Sequence, residues 1–343
     1  MKKLCVALLL LTAALIPALP QRGNNPFLGR WDLTVTSSGS TYPGWMEMTE
    51  KDGDLQARVQ PREGGVLPAP VKRDGSHVVV TVEAAVPARP ATDTRPAAPA
   101  RPSLTWELDA KGGKLIGVQK LGDTVQGQVT AVQAPLLKRA APTAWTDPEP
   151  LFNGKDLTGW VTVNNTQSTG AREVNHWVVK DGELVTEATG HNILTTRKFD
   201  DFKLHLEFNL SERANSGIYL RGRYECQLPP PGAPRPGAPA RRGGAGGGPG
   251  EGGGLGYAIH GFVSAIARAP GGPGEWRTCD ITLVGRNVTM VVNGVTIVDN
   301  QEIPGTTGGA LDSNEGEPGP ILLQGDHAPV VKFRNITISV PKR

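Results

Sequence analysis

The sequence predicts an all-β protein in two parts, a small antiparallel β-barrel or sandwich followed by a two-sheet jelly roll. Two observations lead to this prediction, and a third excludes one class of function. The 343 residues include 44 glycines and 30 prolines, and each of these inside a helix costs about 1 to 3 kcal/mol. Short runs that alternate apolar and polar residues recur along the chain, with turn signals between them. The net charge of only +3 argues against a nucleic-acid-binding protein, which needs a basic excess to neutralise phosphates.

The N-terminus has the pattern of a secretory signal peptide. Two lysines precede an apolar run over 4–16, and a proline and small residues follow, which is the usual order in such a segment. The run is shorter than the roughly 20 residues of a membrane-spanning helix, and Cys5 lies at its start instead of marking a lipoprotein cleavage point after it. We therefore expect removal of residues 1–20 and a periplasmic or secreted protein with no membrane span.

The segment 27–137 is predicted to be a small all-β domain. Runs such as GRWDLTVTS, HVVVTVEA and TVQGQVTAV are separated by the turn signals KDGD, RDGS and LGDT, a spacing typical of a meander that closes into a barrel or sandwich. The opening GRWDLTV resembles the first strand of lipocalin-like barrels. One interpretation of this domain is a docking module that binds sugar or a partner. The proline-containing stretch 138–150 has the composition of an interdomain linker.

The strand pattern continues over 151–341, where eight or more runs rich in Val, Ile and Thr fit a two-sheet jelly roll. The proline- and glycine-rich stretch 228–254 cannot bury enough apolar surface to fold. We expect it to be a disordered insertion that borders the substrate site as a flap. Cys226 and Cys279 lie in strand-like runs, where either two buried thiols or one disulfide would fit.

Alternation within 217–228 predicts a polar face on two adjacent strands. It places Tyr219 and Arg221 on one side of the first strand, and Glu225 and Gln227 on the matching side of the second. A solvated ion pair between Arg221 and Glu225 is the simpler alternative. The single carboxylate in the ECQ run does not supply the carboxylate pair of a conventional glycosidase.

Five ordered motifs over about 150–340 resemble the 3-keto-disaccharide hydrolase domain family. They are LFNGKDLTGW, WVVKDGELV, NSGIYLRGRYECQL, GEWRTCDITLVGRNVTMVVNGV and PGPILLQGDHAPVVKFRNITI. The resemblance implies a concanavalin-like jelly roll, usually in secreted or periplasmic proteins, and a hydrolase that acts on sugars already oxidised to a ketone at C3. A sugar 3-dehydrogenase acting upstream is then the implied partner.

The chemistry that the resemblance implies needs one base, one acid and one enolate stabiliser. A C3 ketone acidifies the C2 proton, so that proton removal, loss of the C1 substituent and addition of water give net hydrolysis. The resemblance carries the family's arginine and glutamate motif onto Arg221 and Glu225, with Gln227 beside them, and its glutamine–histidine motif onto Gln324 and His327. From the chemistry we expect Glu225 and His327 to act as base and acid, in either order, and Arg221 to stabilise the enolate. Substrate binding is expected of Gln227, Gln324, Tyr219, His260 and Asp326.

The sequence departs from the family pattern where the insertion replaces a short acidic loop. An Asp that the family carries near its site is therefore missing here, unless Asp326 or Glu251 substitutes for it. No cofactor is expected, and the spacing of His, Cys, Asp and Glu does not support a divalent metal site. The alternative function is that of a non-catalytic carbohydrate-binding jelly-roll module.

Overall fold

The computed structural model describes residues 25–62, 64–83, 102–164, 174–212, 214–228, 257–327 and 330–342. The predicted signal peptide, Glu251 and all but the first residue of the predicted insertion 228–254 lie outside these ranges. Within them the chain forms 23 strands and no helix, and thus no helix long and apolar enough to cross a membrane. The predicted all-β fold class is confirmed.

The first eight strands form a closed antiparallel barrel. They are β1 (Gly29–Ser37), β2 (Ser40–Lys51), β3 (Asp54–Gln60), β4 (Leu67–Asp74), β5 (His77–Val82), β6 (Leu104–Lys111), β7 (Lys114–Leu121) and β8 (Thr124–Gln133). Each strand pairs with the next, and β1 closes the barrel by pairing with β8. Alternation buries one side of every strand, so that Trp31, Leu33 and Trp106 pack together inside. The sequence left open whether this domain is a barrel or a sandwich, and the structure shows a barrel.

The remaining strands form two sheets. One has seven strands in the spatial order β10 (Trp160–Val163), β13 (Asn192–Thr195), β22 (Leu322–Leu323), β15 (Gly217–Leu220), β16 (Tyr224–Gln227), β17 (Tyr257–Ile259) and β18 (Val263–Ser264). The other has the order β11 (Trp177–Lys180), β12 (Glu183–Thr186), β23 (Val331–Ser339), β14 (Phe202–Leu210), β19 (Arg277–Val284), β20 (Asn287–Val292) and β21 (Val295–Glu302), with β9 (Glu149–Pro150) paired to β23.

A single apolar core joins these two sheets. Fully buried side chains from both contribute to it, including Leu206, Ile218 and Phe333. Cys226 and Cys279 lie in the same core as free thiols, so the two-thiol alternative is the observed one. The two-sheet jelly roll predicted for this part of the chain is confirmed.

The barrel packs against the sandwich through β1, β2 and the end of β3. Trp45 meets Phe262 edge to face, with ring centroids 5.1 Å apart. The hydroxyls of Thr34 and Ser313 lie 2.7 Å apart. These contacts place the barrel beside the loops that follow β17 and β21.

A buried charge cluster lies at the contact between barrel and sandwich. Glu315 accepts hydrogen bonds from Nη2 of Arg286 at 2.6 Å and from the hydroxyl of Tyr224 at 2.7 Å. Asp32 of β1 is buried beside this group, and burial together with the charge of Glu315 raises the pKa of Asp32 to about 10. The carboxyl group of Asp32 is therefore harder to ionise in the folded protein than in the unfolded chain.

The raised pKa of Asp32 predicts a pH-dependent stability that asparagine would remove. An unfolded aspartate has a pKa near 4, so the stability that the protonated form contributes is complete below about pH 4 and is lost as pH rises toward about 10. We expect Asp32→Asn to raise the Tm by several degrees at pH 9 and to change it little at pH 4. Thermal unfolding across this range, with the exposed Asp54→Asn as control, measures the effect. A parallel pH dependence in the variant and the parent would contradict it.

Candidate active site

The seven-stranded sheet carries a polar face on the side away from the core. Tyr219 pairs directly with Glu225 across β15 and β16, and directly paired residues project from the same face. Their neighbours Ile218 and Cys226 point into the core. Tyr219 and Glu225 therefore project together on the opposite side, as alternation predicts.

Arg221 does not share this face. It lies in the turn between β15 and β16 with a φ of 52°, so strand alternation does not set its direction. Its fully buried guanidinium donates to the carbonyl of Gly285 at 2.6 Å, to Oδ1 of Asp200 at 3.2 Å and to the hydroxyl of Tyr224 at 3.3 Å. The predicted placement of Arg221 beside Glu225 is wrong, and we assign Arg221 no part in the site.

Glu225 is a buried carboxyl group held against a tyrosine. The hydroxyl of Tyr219 lies 3.0 Å from Oε2 of Glu225 and 3.1 Å from the carbonyl oxygen of Gly308, so its single proton can be donated to either oxygen. A Cβ on Gly217 would lie 2.7 Å from Oε1 of Glu225. The missing side chain at position 217 therefore makes room for the carboxyl group.

Three of the other predicted site residues lie near this carboxyl group. The pKa of Glu225 is raised, chiefly by burial. Three weaker effects oppose this shift: the charge of His260, the hydrogen bond from Tyr219 and the charge of His327. The charge of Asp326 raises the pKa of Glu225 further. The backbone N–H of His260 also donates to the carbonyl of Glu225 at 3.0 Å. The structure therefore brings Glu225, Tyr219, His260, Asp326 and His327 together.

Asp326 and His327 form a hydrogen-bonded pair. Oδ1 of Asp326 lies 2.7 Å from Nδ1 of His327. The Asp326 side chain is 3% exposed and that of His327 is 43% exposed. The hydrogen bond to Asp326 orients the ring, so that a neutral imidazole which donates from Nδ1 carries its lone pair on Nε2. The pair thus supplies an oriented imidazole that can act as a base in its neutral form.

Three amide side chains share one row of the polar face. The backbone N–H of Gln324 donates to the carbonyl of Gly217, and Gly217 pairs directly with Gln227. On the other side, the pairing of β13 with β22, continued by one residue, places Asn192 opposite Gln324. The amide of Gln227 is used within the protein, since its Nε2 donates to Oδ1 of Asn215 and to the carbonyl of Ser216.

Among the residues that the structure describes, the amides of Gln324 and Asn192 each keep one buried atom without a hydrogen-bond partner. These atoms are Oε1 of Gln324 and Nδ2 of Asn192. Oδ1 of Asn192 accepts the backbone N–H groups of Gly325 at 2.7 Å and Asp326 at 3.2 Å, which fixes the segment that carries His327. Sequence reasoning missed Asn192, for which the one signal was a polar residue at the start of the ILT run.

Across the ranges that the structure describes, no three side chains of His, Cys, Asp or Glu are grouped as a metal site. The polar face therefore offers a carboxyl acid, an imidazole base and amide groups for hydroxyls. Such a set can transfer protons and form hydrogen bonds with hydroxyl groups.

The class of protein to which the sandwich belongs follows from a family comparison. The model of the 3-keto-alpha-glucoside-1,2-lyase-like domain matches residues 147–339. This chain belongs to that family, so the resemblance seen in the sequence is confirmed. Residues 147–339 are a carbohydrate-active, hydrolase-like domain.

Solved structures similar to this chain include two proteins from Parabacteroides distasonis ATCC 8503 described as candidate glycosyl hydrolases. One is 28% identical with a TM-score of 0.42 and covers 59% of this chain and 92% of its own. The other is 22% identical with a TM-score of 0.40 and covers 58% and 94%. Carbohydrate-binding module CBM66 from Bacillus subtilis is 15% identical with a TM-score of 0.31 and covers 53% and 96%. No curated protein sequence matches the chain.

Proposed function

We propose that this protein hydrolyses 3-keto-glycosides, including 3-keto-disaccharides, by elimination across C1 and C2 followed by hydration. The observation that carries the proposal is the buried carboxyl group of Glu225, whose pKa is raised, beside the imidazole of His327 that Asp326 orients. A conventional glycosidase needs two independent carboxyl groups, whereas Asp326 is bonded to His327. The family name, which includes a 1,2-lyase, supports the same chemistry.

In the proposed reaction Nε2 of His327 removes the C2 proton that the C3 ketone acidifies. The bond from C1 to the leaving oxygen breaks, the C1–C2 double bond forms, and the leaving oxygen takes the proton of Glu225. Water then adds, with its hydroxyl on C1; ionised Glu225 accepts its proton and His327 returns a proton to C2. His260, which lies near the carboxyl group, takes the enolate-stabilising role expected of Arg221.

Gln324 is proposed to accept a hydrogen bond from a sugar hydroxyl through its Oε1. Methionine at this position keeps the length of the side chain and removes a buried atom that has no partner within the described structure. We expect Gln324→Met to raise KM about tenfold and to leave stability equal or higher by about 1 kcal/mol. Steady-state kinetics and denaturant unfolding measure both quantities.

Gln227→Met is the matched control for this variant. Its amide donates to Asn215 and Ser216, so we expect a loss of stability in that variant. If both variants lost stability and kept the parental KM, Gln324 would have no role in binding.

The direct test of the proposed function incubates the protein with a 3-keto-disaccharide and with the same disaccharide unoxidised. We expect sugar release from the 3-keto substrate alone, unaffected by a chelator since no cofactor is proposed, with deuterium at C2 when the reaction runs in D2O. Equal release of sugar from the unoxidised disaccharide would exclude elimination, because that substrate has no ketone to acidify its C2 proton. Binding of either sugar without release would instead support the alternative of a carbohydrate-binding module.

The place of the reaction is also a proposal. Elimination requires a ketone at C3 before the substrate arrives, so a sugar 3-dehydrogenase must act upstream. We propose that both steps occur in the periplasm or outside the cell, on the basis of the pattern in residues 1–20. Fractionation of cells that express the full chain tests this location, and recovery in the cytoplasm would contradict it.

A further inference from the structure

We propose that the barrel belongs to the catalytic unit, and that Gln60 and residues 64–66, here called the barrel rim, position Glu225. The family match begins at residue 147, so it assigns the barrel no role, and the sequence suggested a separate docking module. The inference rests on the proposed role of Glu225. It is carried by two contacts that join the rim to the segments holding that side chain.

The first contact runs through Gly308. Its carbonyl oxygen lies 3.1 Å from the hydroxyl of Tyr219, which itself lies 3.0 Å from Glu225. A Cβ on Gly308 would lie 2.9 Å from the carbonyl oxygen of Gly64 and 3.1 Å from Nε2 of Gln60. Gly308 is therefore packed between the rim and Tyr219, and a shift of the rim would move the oxygen that competes for the tyrosine proton.

The second contact follows His260. The backbone N–H of His260 donates to the carbonyl of Glu225, and a Cβ on the next residue, Gly261, would lie 2.9 Å from the backbone N of Val66 and 3.3 Å from Oε1 of Gln60. The rim thus supports the backbone on both sides of the carboxyl group.

Gln60 sets the shape of the rim. Gln60 is buried, with only 2% of its surface exposed. Its Nε2 donates to the carbonyl oxygens of Pro61 and Gly64, each at 2.8 Å. These two bonds fold the segment after β3 back toward the sandwich. Without them the carbonyl of Gly64 loses its fixed position against Gly308.

The expected consequence concerns the proton on Glu225. When Gly308 accepts from Tyr219, the tyrosine oxygen can accept from the protonated Glu225. If Gly308 moves away, Tyr219 donates fully to Glu225, which favours the carboxylate and lowers its pKa. An acid with a lower pKa loses its proton at lower pH, so the alkaline limb of the kcat profile moves to lower pH.

The test compares Gln60→Met with Gln119→Met in the full chain. Methionine at position 60 keeps the volume and removes both bonds, so we expect kcat to fall about tenfold with KM changed less than about twofold, and the alkaline limb to move down by about half a unit. Gln119 is a buried glutamine of the same barrel that accepts from Tyr42. Its variant should lose stability and keep the parental pH profile.

A second measurement separates this inference from the proposed function. Infrared titration of the Glu225 carboxyl group, assigned with Glu225→Gln, needs no turnover and should show a lower pKa in Gln60→Met than in the parent. Gly308→Ala, whose Cβ would press against the rim, should also lower the pKa of Glu225. This second variant tests the inference if Gln60→Met does not fold. An unchanged Glu225 titration in a folded variant of either kind would overturn the inference, whether or not 3-keto sugars are cleaved.

Discussion

Glu225→Gln is expected to lower kcat for a 3-keto-glucoside by about a thousandfold, within the range that a general acid contributes. Glutamine has the shape of glutamate and its Oε1 can still accept from Tyr219, but it has no acidic proton for the leaving oxygen. The fold should therefore persist while the C1–O bond cleavage slows. Product release at saturating substrate, together with circular dichroism and the Tm, measures the effect.

Glu183→Gln is the matched control for this experiment. Glu183 lies on the other sheet and accepts a hydrogen bond from Nζ of Lys332 at 2.9 Å. Because it is outside the site, we expect Glu183→Gln to keep kcat within about twofold. The loss of its ion pair should lower the free energy of unfolding by about 1 kcal/mol or less. Undiminished turnover by Glu225→Gln would exclude Glu225 as acid or base.

The largest effect on stability is expected for Glu315→Ala. The Glu315 side chain is fully buried and is bonded to Arg286 and Tyr224. Removing it leaves the guanidinium of Arg286 buried without its counter-charge, which typically costs about 3 to 5 kcal/mol. Denaturant unfolding followed by tryptophan fluorescence gives the free energy of unfolding directly.

Two further variants test the cause of that loss. Glu302 forms an exposed ion pair with Arg30, also between barrel and sandwich, so Glu302→Ala should cost less than about 1 kcal/mol. The double variant Glu315→Leu with Arg286→Met removes both charges and should recover most of the loss. Equal losses in Glu315→Ala and Glu302→Ala would show that burial of the charge is not the cause.

Local sequence pattern predicted most of the strands and one face of the site. Period-two alternation depends on the residues of a single strand, which is why Tyr219 and Glu225 could be placed together before any tertiary contact was known. Asp326 and His327 were both named from the sequence, but the hydrogen bond between them was not predicted. Closure of the barrel was one of two outcomes that the strand spacing allowed.

Arg221 shows where this reasoning stops. Its positive φ belongs to a turn, and the partners that hold its guanidinium come from segments about 20 to 95 residues away. Strand alternation carries no information about either. Asn192 was missed for a related reason, since its row with Gln324 depends on pairing between strands far apart in sequence.

The sequence by itself determined an all-β protein and its family, and it predicted a candidate site centred on Glu225 and His327, because local alternation and ordered motifs encode these features. Only the tertiary structure decided that the barrel closes and that its rim packs against Gly308 and Gly261. It also decided that Arg221 is buried against Gly285, Asp200 and Tyr224 and does not face the site. The physical reason is that these features depend on strand register and on packing between domains, which join residues that no local pattern relates.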